Sequence, residues 1–267
     1  MPLQSRHILN QSVVASLVTL LCIVAVGALQ VPHLNRLTKR AKKASPTALQ
    51  QVLNAEKLRL NLLQKTPAFG FNNLVSNWVF LNFLQYFGDD EARALTGYNL
   101  SPEYFEIIVD RDPHFLGAYI GLSTSISLYA GMPEKSVALM EKGLQSMSPQ
   151  TPPKSYYVWR YKAIDELLFL GEPQAAKQSF EKAAQWASTY SDEESKNIAT
   201  VSRKTAEFIA RNPNSKLAQA TTWTMVLSNT IDPLARKIAI SRLEALGAKV
   251  FTTPQGTIEK ILPPPRD

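Results

Sequence analysis

The side chains of this sequence that could do acid–base or metal chemistry fall into two short acidic groups. The first is the run Asp-Asp-Glu at 89–91, and in the second Asp110 and Asp112 flank Arg111. Neighbouring carboxylates could bind a divalent cation or share a proton as an acid–base pair. Alternatively, they are solvated acids in turns, where a carboxylate also suits the N-terminus of a following helix. We expect this second role for both groups.

Nucleophiles and metal ligands are too few and too dispersed to predict a catalytic centre. The single cysteine, Cys22, lies inside an apolar run, and the histidines are far apart at His7, His33 and His114. Zinc sites need closely spaced Cys and His ligands. The sequence also lacks a GxxxxGK phosphate loop and a GxSxG nucleophile turn. We therefore expect no catalysis, no metal and no cofactor.

Amide and aromatic side chains are the remaining candidates, and they would bind a partner. One group interrupts the otherwise apolar segment 71–87, and the other surrounds Trp159. The candidates are Asn82, Gln85 and Tyr86 in the first group, and Tyr157, Arg160 and Tyr161 in the second. The alternative is that the aromatic rings only pack between helices and that the amides are hydrogen-bonded in place.

An uncharged apolar run predicts a membrane anchor at the N-terminus. The run Ser12–Val31 would span about 30 Å as a helix, which is the thickness of the hydrocarbon core of a bilayer. A cleaved signal peptide would need a shorter apolar core and small residues at its cleavage site. A lipoprotein signal would need a small residue before Cys22, where Leu21 stands. A buried core helix would be amphipathic, so an uncleaved anchor is favoured.

A basic cluster follows this run and predicts its orientation. Only Arg6 precedes the run, whereas five basic residues follow it: Arg36, Lys39, Arg40, Lys42 and Lys43. Because basic residues in short flanking segments stay on the cytoplasmic side, we expect a cytoplasmic-side domain. The alternative is an anchor that exports the domain.

The net charge of +7 arises almost entirely from this membrane-proximal region. The chain has 29 basic and 22 acidic residues, and six of the basic ones lie at or before Lys43. The rest of the chain holds 23 basic residues against all 22 acidic ones. Nucleic-acid binding, which needs a basic folded face, is therefore not expected.

Caps and apolar periodicity predict helices over nearly all of the remaining chain. Ser-Pro pairs at 45–46 and 101–102 are typical of an N-cap followed by the first helical residue. We expect further helices at 72–87, 193–211, 215–229 and 233–246. The tail from 248 to 267 either forms a short hairpin around Pro254–Gly256 or is extended and irregular.

Two segments share a small–large–small pattern at equivalent positions. The clearest is 170–184, LGEPQAAKQSFEKAA, and a weaker copy spans 130–149. Each has a turn glycine followed by the three packing positions: Gly171, Ala176, Phe180 and Ala183, and Gly131, Ser136, Met140 and Gly143. This pattern resembles the second half of a tetratricopeptide repeat (TPR), and the resemblance extends over about 72–190.

The resemblance implies an all-α chain that binds other proteins. Its parts would be an N-terminal tail (1–11), a transmembrane anchor (12–31), a basic linker (32–45), a TPR-like helical-hairpin solenoid (46–247) and a short irregular tail (248–267). In a TPR array the first helices line a concave groove, where the amide and aromatic candidates would lie.

The chain looks like anchored bacterial TPR proteins, including cyanobacterial ones that assist photosynthetic complexes. We expect a scaffold or assembly factor whose partners are subunits of a membrane complex. The alternative is an exported, envelope-facing module that binds a peptide or a lipid.

Overall fold

The structure, a computed structural model, describes residues 17–31, 46–229, 233–253 and 258–265, and most of them are helical. In chain order, helices α1 to α12 comprise residues 17–31, Pro46–Lys65, Asn72–Phe87, Asp90–Thr96, Ser101–Arg111, Ala118–Ser123, Pro133–Leu144, Tyr156–Asp165, Pro173–Ala187, Glu193–Arg211, Lys216–Asn229 and Pro233–Ala245. Two of them, α6 and α8, continue as π-helical turns, Thr124–Tyr129 and Glu166–Leu170. A predominantly α-helical fold is confirmed.

The helix boundaries match the sequence signals except at one cap. Helix α3 ends at Gly88 as expected. The cap of α5, however, is Leu100, and the prediction that Ser101 is its N-cap is wrong. The Ser101 N–H donates to the Tyr98 carbonyl (3.0 Å), so the chain already turns helically at Leu100. The Ser45 cap lies outside the described residues.

Helices that follow one another pack together, so the core is built mainly between chain neighbours. The pairs α3–α5, α8–α9, α9–α10 and α11–α12 are in contact. All six predicted small–large–small positions are buried: Ser136, Met140, Gly143, Ala176, Phe180 and Ala183. Position 143 needs a glycine because the Tyr119 side chain lies directly against it: a Cβ there would be 1.9 Å from the Tyr119 hydroxyl oxygen.

Left-handed glycines end the two π turns. Gly131 (φ 66°) and Gly171 (φ 69°) adopt a conformation that side chains with a Cβ rarely take. Pro133 and Pro173 then start α7 and α9. The predicted turn positions are therefore used as turns, and each one joins a helix with a π-helical end to its neighbour.

The C-terminal segment forms a β-hairpin over 249–262, which is one of the two predicted alternatives, and an irregular tail is wrong for this part, whereas residues 263–265 carry no helix or strand. Strands β1 (Lys249–Thr252) and β2 (Ile258–Leu262) are antiparallel, with Val250 opposite Ile261. Val250, Ile258 and Ile261 pack against the cluster of buried residues around α11 and α12, which stabilises this register. The hairpin tip, 254–257, lies outside the described residues.

Helix α1 is apolar and exposed on all sides. Its large side chains, among them Leu21 (71 % exposed) and Leu29 (77 %), have most of their surface open. Among the described residues, no helix has both the length and the hydropathy needed to cross a membrane. Residues 12–16 of the predicted anchor and the whole basic cluster, 36–43, lie outside the described ranges.

Candidate protein-binding surface

Helix α3 lies in the longest uncharged stretch of the folded region. No charged residue occurs from Thr66 to Gly88, and Lys65 and Asp89 border the stretch. A solvated helix normally carries charges on its outer side. The uncharged outer side of α3 therefore differs from that of an ordinary solvated helix.

One side of α3 is buried and the opposite side exposes large apolar residues. Helix α3 packs on α5, and Phe83 lies 4.5 Å from Phe105 between ring centroids in an edge-to-face contact. The opposite side follows a spacing of three to four residues and continues beyond the N-terminus of the helix. We call it the α3 face, and it consists of Phe71 (62 % exposed), Leu74 (64 %), Trp78 (45 %), Leu81 (58 %) and Leu84 (48 %).

Polar contacts from α2 hold Trp78 in the centre of the α3 face. The Arg59 guanidinium lies 5.1 Å from the centroid of the Trp78 ring. Arg59 also donates to Glu56 (2.6 Å) and to the Asn82 Oδ1 (3.3 Å). The Asn82 Nδ2 in turn donates to the Trp78 carbonyl (2.6 Å). The indole is therefore held in place by α2 and by its own helix.

The three candidates on α3 lie in different places. Asn82 is half-buried and supports Trp78, and Gln85 is exposed on α3. Tyr86 is buried in the core: its hydroxyl donates to the Gly97 carbonyl (3.4 Å) and accepts from the Leu100 N–H (3.2 Å). Burial raises the pKa of Tyr86. The neighbouring Arg93 guanidinium, 4.0 Å from the ring centroid, acts in the opposite direction.

The second group of candidates lies together on α8, and one of its members, Tyr157, links α8 to α10. The rings of Tyr157 and Tyr161 stack with their centroids 6.1 Å apart, and the Arg160 guanidinium lies 5.8 Å from the Tyr157 centroid. The Tyr157 hydroxyl donates to Glu194 at the start of α10 (2.6 Å). Arg160 is buried, and desolvation lowers its pKa. This group is mostly internal, in contrast to the α3 face.

The first acidic group serves as a helix cap. Asp89 accepts from the Ala92 N–H (3.1 Å) and is the N-cap of α4, a short helix inside the turn between α3 and α5. This is the role that we expected from the sequence for an acid in this turn. Among the described residues, no group of three or more Asp, Glu, His or Cys side chains could hold a metal ion.

The second acidic group is engaged in structural contacts. Asp110 pairs with Lys142, and Asp112 accepts from the His114 N–H (3.1 Å). Arg111 between them donates to the carbonyls of Leu63 (3.2 Å) and Thr66 (2.5 Å) at the end of α2. These bonds hold helix ends together.

A buried carboxyl group, which the sequence analysis missed, joins three helices beside the π turns. Asp165 has no exposed surface and accepts hydrogen bonds from Ser123 (2.7 Å), Ser127 (2.5 Å) and Ser136 (2.6 Å). Burial raises the pKa of Asp165 to about 7, although the three hydroxyl donors act in the opposite direction. The sequence shows only two adjacent acids, Asp165 and Glu166, between apolar residues, so no spacing signal could have found the partners of Asp165.

Replacing Asp165 by asparagine is expected to change how stability depends on pH. The unfolded carboxyl group titrates near 3.8 and the folded one near 7, so the folded state binds the extra proton between these values. The free energy of unfolding of the wild type should therefore fall as pH rises through this window and level off above it. Between pH 5 and pH 7, the free energy of unfolding of the wild type should fall by about 2 kcal/mol more than that of Asp165→Asn.

Urea denaturation of both proteins at pH 5, 6, 7 and 8 measures this difference. Other titrating groups act equally in the two proteins and cancel in the comparison. A difference that stays constant from pH 5 to pH 8 would show that Asp165 is ionised throughout.

Comparison of the chain with protein-family models, with curated proteins and with solved structures finds no match.

Proposed function

We propose that this protein is a membrane-tethered scaffold or assembly factor that binds another protein through the α3 face and has no catalytic role. The observation that carries the proposal is the exposed, uncharged surface centred on Trp78. Contiguous exposed apolar residues on a folded domain mark interaction sites. Tryptophan and arginine, which meet here as Trp78 and Arg59, are enriched among the residues that dominate binding energy.

The composition of the α3 face favours a protein partner over the bilayer surface. A helix that lies in the membrane interface carries Lys and Arg on its polar side. Helix α3 instead carries asparagine and glutamine: Asn72, Asn73, Asn77, Asn82 and Gln85. Neutral amides suit a protein surface, because they can exchange hydrogen bonds with water for hydrogen bonds with partner groups at little desolvation cost.

The N-terminal segment supports the proposed tether. Helix α1 is apolar on every side, and the uncharged run that contains it continues back to Ser12. The five basic residues from Arg36 to Lys43 favour a cytoplasmic-side domain. A tether would raise the effective concentration of the α3 face beside membrane-protein subunits. The exported alternative keeps the same surface on the opposite side of the membrane.

We further propose that residues 46–247 form a TPR-like array. The paired helices, the left-handed Gly131 and Gly171, and the buried small–large–small positions support this relationship. Such arrays bind proteins through extended surfaces and carry no chemistry of their own.

A photo-crosslinking amino acid at position 81 tests binding and tethering together. The full-length protein is expressed in its native cells, irradiated, and recovered from membranes washed with alkaline carbonate. We expect the chain to remain in the washed pellet and to form a discrete protein adduct. We expect this adduct because Leu81 belongs to the α3 face and is 58 % exposed.

The matched control places the same amino acid at position 251. Phe251 is also apolar and 45 % exposed, but it lies on β1, away from the α3 face. Equal adducts from both positions would contradict a specific surface, and loss of the protein from the washed pellet would contradict the tether. Protease added to intact spheroplasts distinguishes the two orientations, because it should digest only an exported domain.

A further inference from the structure

A cleft lies between the two π turns and the C-terminal helices. It has a volume of about 470 Å³, and residues of both π turns form one wall while α11 and α12 form the other. This volume falls within the range of roughly 300–1,000 Å³ that is typical of small-molecule sites. The π turns themselves contribute Ser127 and Leu128 from one chain segment and Leu168 and Phe169 from the other. Such turns are rare and occur frequently at functional sites.

The interior of the cleft is apolar and partly aromatic. Phe169 and Trp223 meet edge to face, with their ring centroids 5.7 Å apart. Leu128, Ile238 and Leu246 complete the apolar lining. Trp223 is only 4 % exposed, so its ring is fixed by the surrounding helices. This lining would accept the hydrocarbon part of a ligand.

The cleft has few polar groups, and they differ in charge and in whether they can donate a hydrogen bond. Arg242 is the only charged side chain among the described lining residues, and it is exposed at the rim. No ion pair or hydrogen bond within the described chain engages its guanidinium. Ser127 donates its hydroxyl proton to Asp165 (2.5 Å) and therefore offers the cleft only an acceptor. An anionic group would accordingly be attracted to the Arg242 end and not to the Ser127 end.

We propose that this cleft binds an apolar monocarboxylate, such as a medium-chain fatty acid, with its carboxylate on Arg242. A guanidinium forms two parallel hydrogen bonds with a carboxylate. A single cation balances a single negative charge, so a monocarboxylate fits better than a phosphate dianion. Gln219, a further polar lining residue, lies on α11 in the same wall as Arg242 and has an amide donor that can supply a further hydrogen bond. The site is separate from the α3 face and does not depend on it.

Calorimetric titration of octanoate tests the proposal. The full chain is held in lipid nanodiscs, and the heat from empty nanodiscs is subtracted to remove partitioning into lipid. We expect saturable binding at one site per chain. Octanamide, the neutral analogue of nearly the same shape, should bind at least tenfold more weakly, because it cannot form a charge-assisted pair with Arg242.

Three variants locate the site. Arg242→Gln should weaken octanoate binding at least tenfold, whereas Lys237→Gln should leave it unchanged. Lys237 is exposed on the same helix but outside this cleft, so it controls for the loss of one positive charge. Ile238→Trp, which fills the cleft, should remove binding. Thermal melting confirms that each variant is folded.

The proposal is overturned by any of three results. One is the absence of saturable heat beyond that of empty nanodiscs. Another is equal affinity for octanoate and octanamide, or for the wild type and Arg242→Gln, which would remove the carboxylate assignment. The third is unchanged binding in Ile238→Trp, which would place the ligand elsewhere on the chain.

Discussion

Replacing Phe180 by alanine should destabilise the folded region by about 3–5 kcal/mol, the cost typical of removing a buried ring. Phe180 has no exposed surface and packs in the cluster that also contains Ile164, Leu167 and Ile209. It stands between Ala176 and Ala183, which are also fully buried. The small neighbours allow close helix approach, so the cavity left by the ring cannot be filled by their side chains.

Thermal unfolding followed by circular dichroism measures the effect. For a domain of this size, the expected loss corresponds to a fall in Tm of about 6–20 °C. Phe251→Ala is the control, because that ring is 45 % exposed and should change Tm by only a few degrees. An unchanged Tm for Phe180→Ala would mean that α9 does not pack as described and that the TPR-like pairing is wrong.

Replacing Trp78 by alanine should lower the yield of the position-81 adduct at least tenfold while the protein stays folded. Central tryptophans of interfaces typically contribute 2 kcal/mol or more to binding, which exceeds a tenfold change in affinity. The indole is 45 % exposed and is held from one side by Arg59, so its removal leaves the core around Phe83 intact.

Two further variants test whether the effect comes from Trp78 itself, from the Arg59 side chain that supports it, or from the loss of any exposed apolar residue. Arg59→Gln removes the cation beneath the indole and should lower the adduct yield less than Trp78→Ala does. Leu234→Ala, at a 50 % exposed position on α12, should leave the yield unchanged. If Trp78→Ala keeps the full adduct yield, the α3 face is not where the partner binds.

The sequence predicted the helices well because their signals are local. Proline near helix starts, glycine at turns and apolar periodicity depend on a few neighbouring residues. The cap at Ser101 was missed because a turn from Tyr98 set the helix start one residue earlier. The sequence alone did not decide between a hairpin and an irregular tail, because the two strands are stabilised by contacts with α12 and not by local pattern alone.

The proposed α3 face and the proposed cleft could be predicted from the sequence only in part, because they depend on contacts between distant residues. The sequence marked the segment 71–87 as unusual, and the candidates chosen on it were polar residues. Tyr86 is buried, whereas Trp78 and Leu81 are exposed. Asp165 and Arg242 gave no sequence signal: the partners of Asp165 lie 29–42 residues away, and the cleft beside Arg242 needs four chain segments.

The sequence by itself determined the α-helical class, the uncharged character of α3, the apolar N-terminal run and the placement of the net charge. Only the tertiary structure decided which side of α3 is free. A helix that is apolar all round has no preferred side until a neighbour covers one. Here α5 covers the side of Phe83 and leaves Trp78 exposed. Packing of α6 and α7 against α8 likewise buries Asp165 among serines from these two helices, since desolvation depends on every element that surrounds a group and not on its own segment.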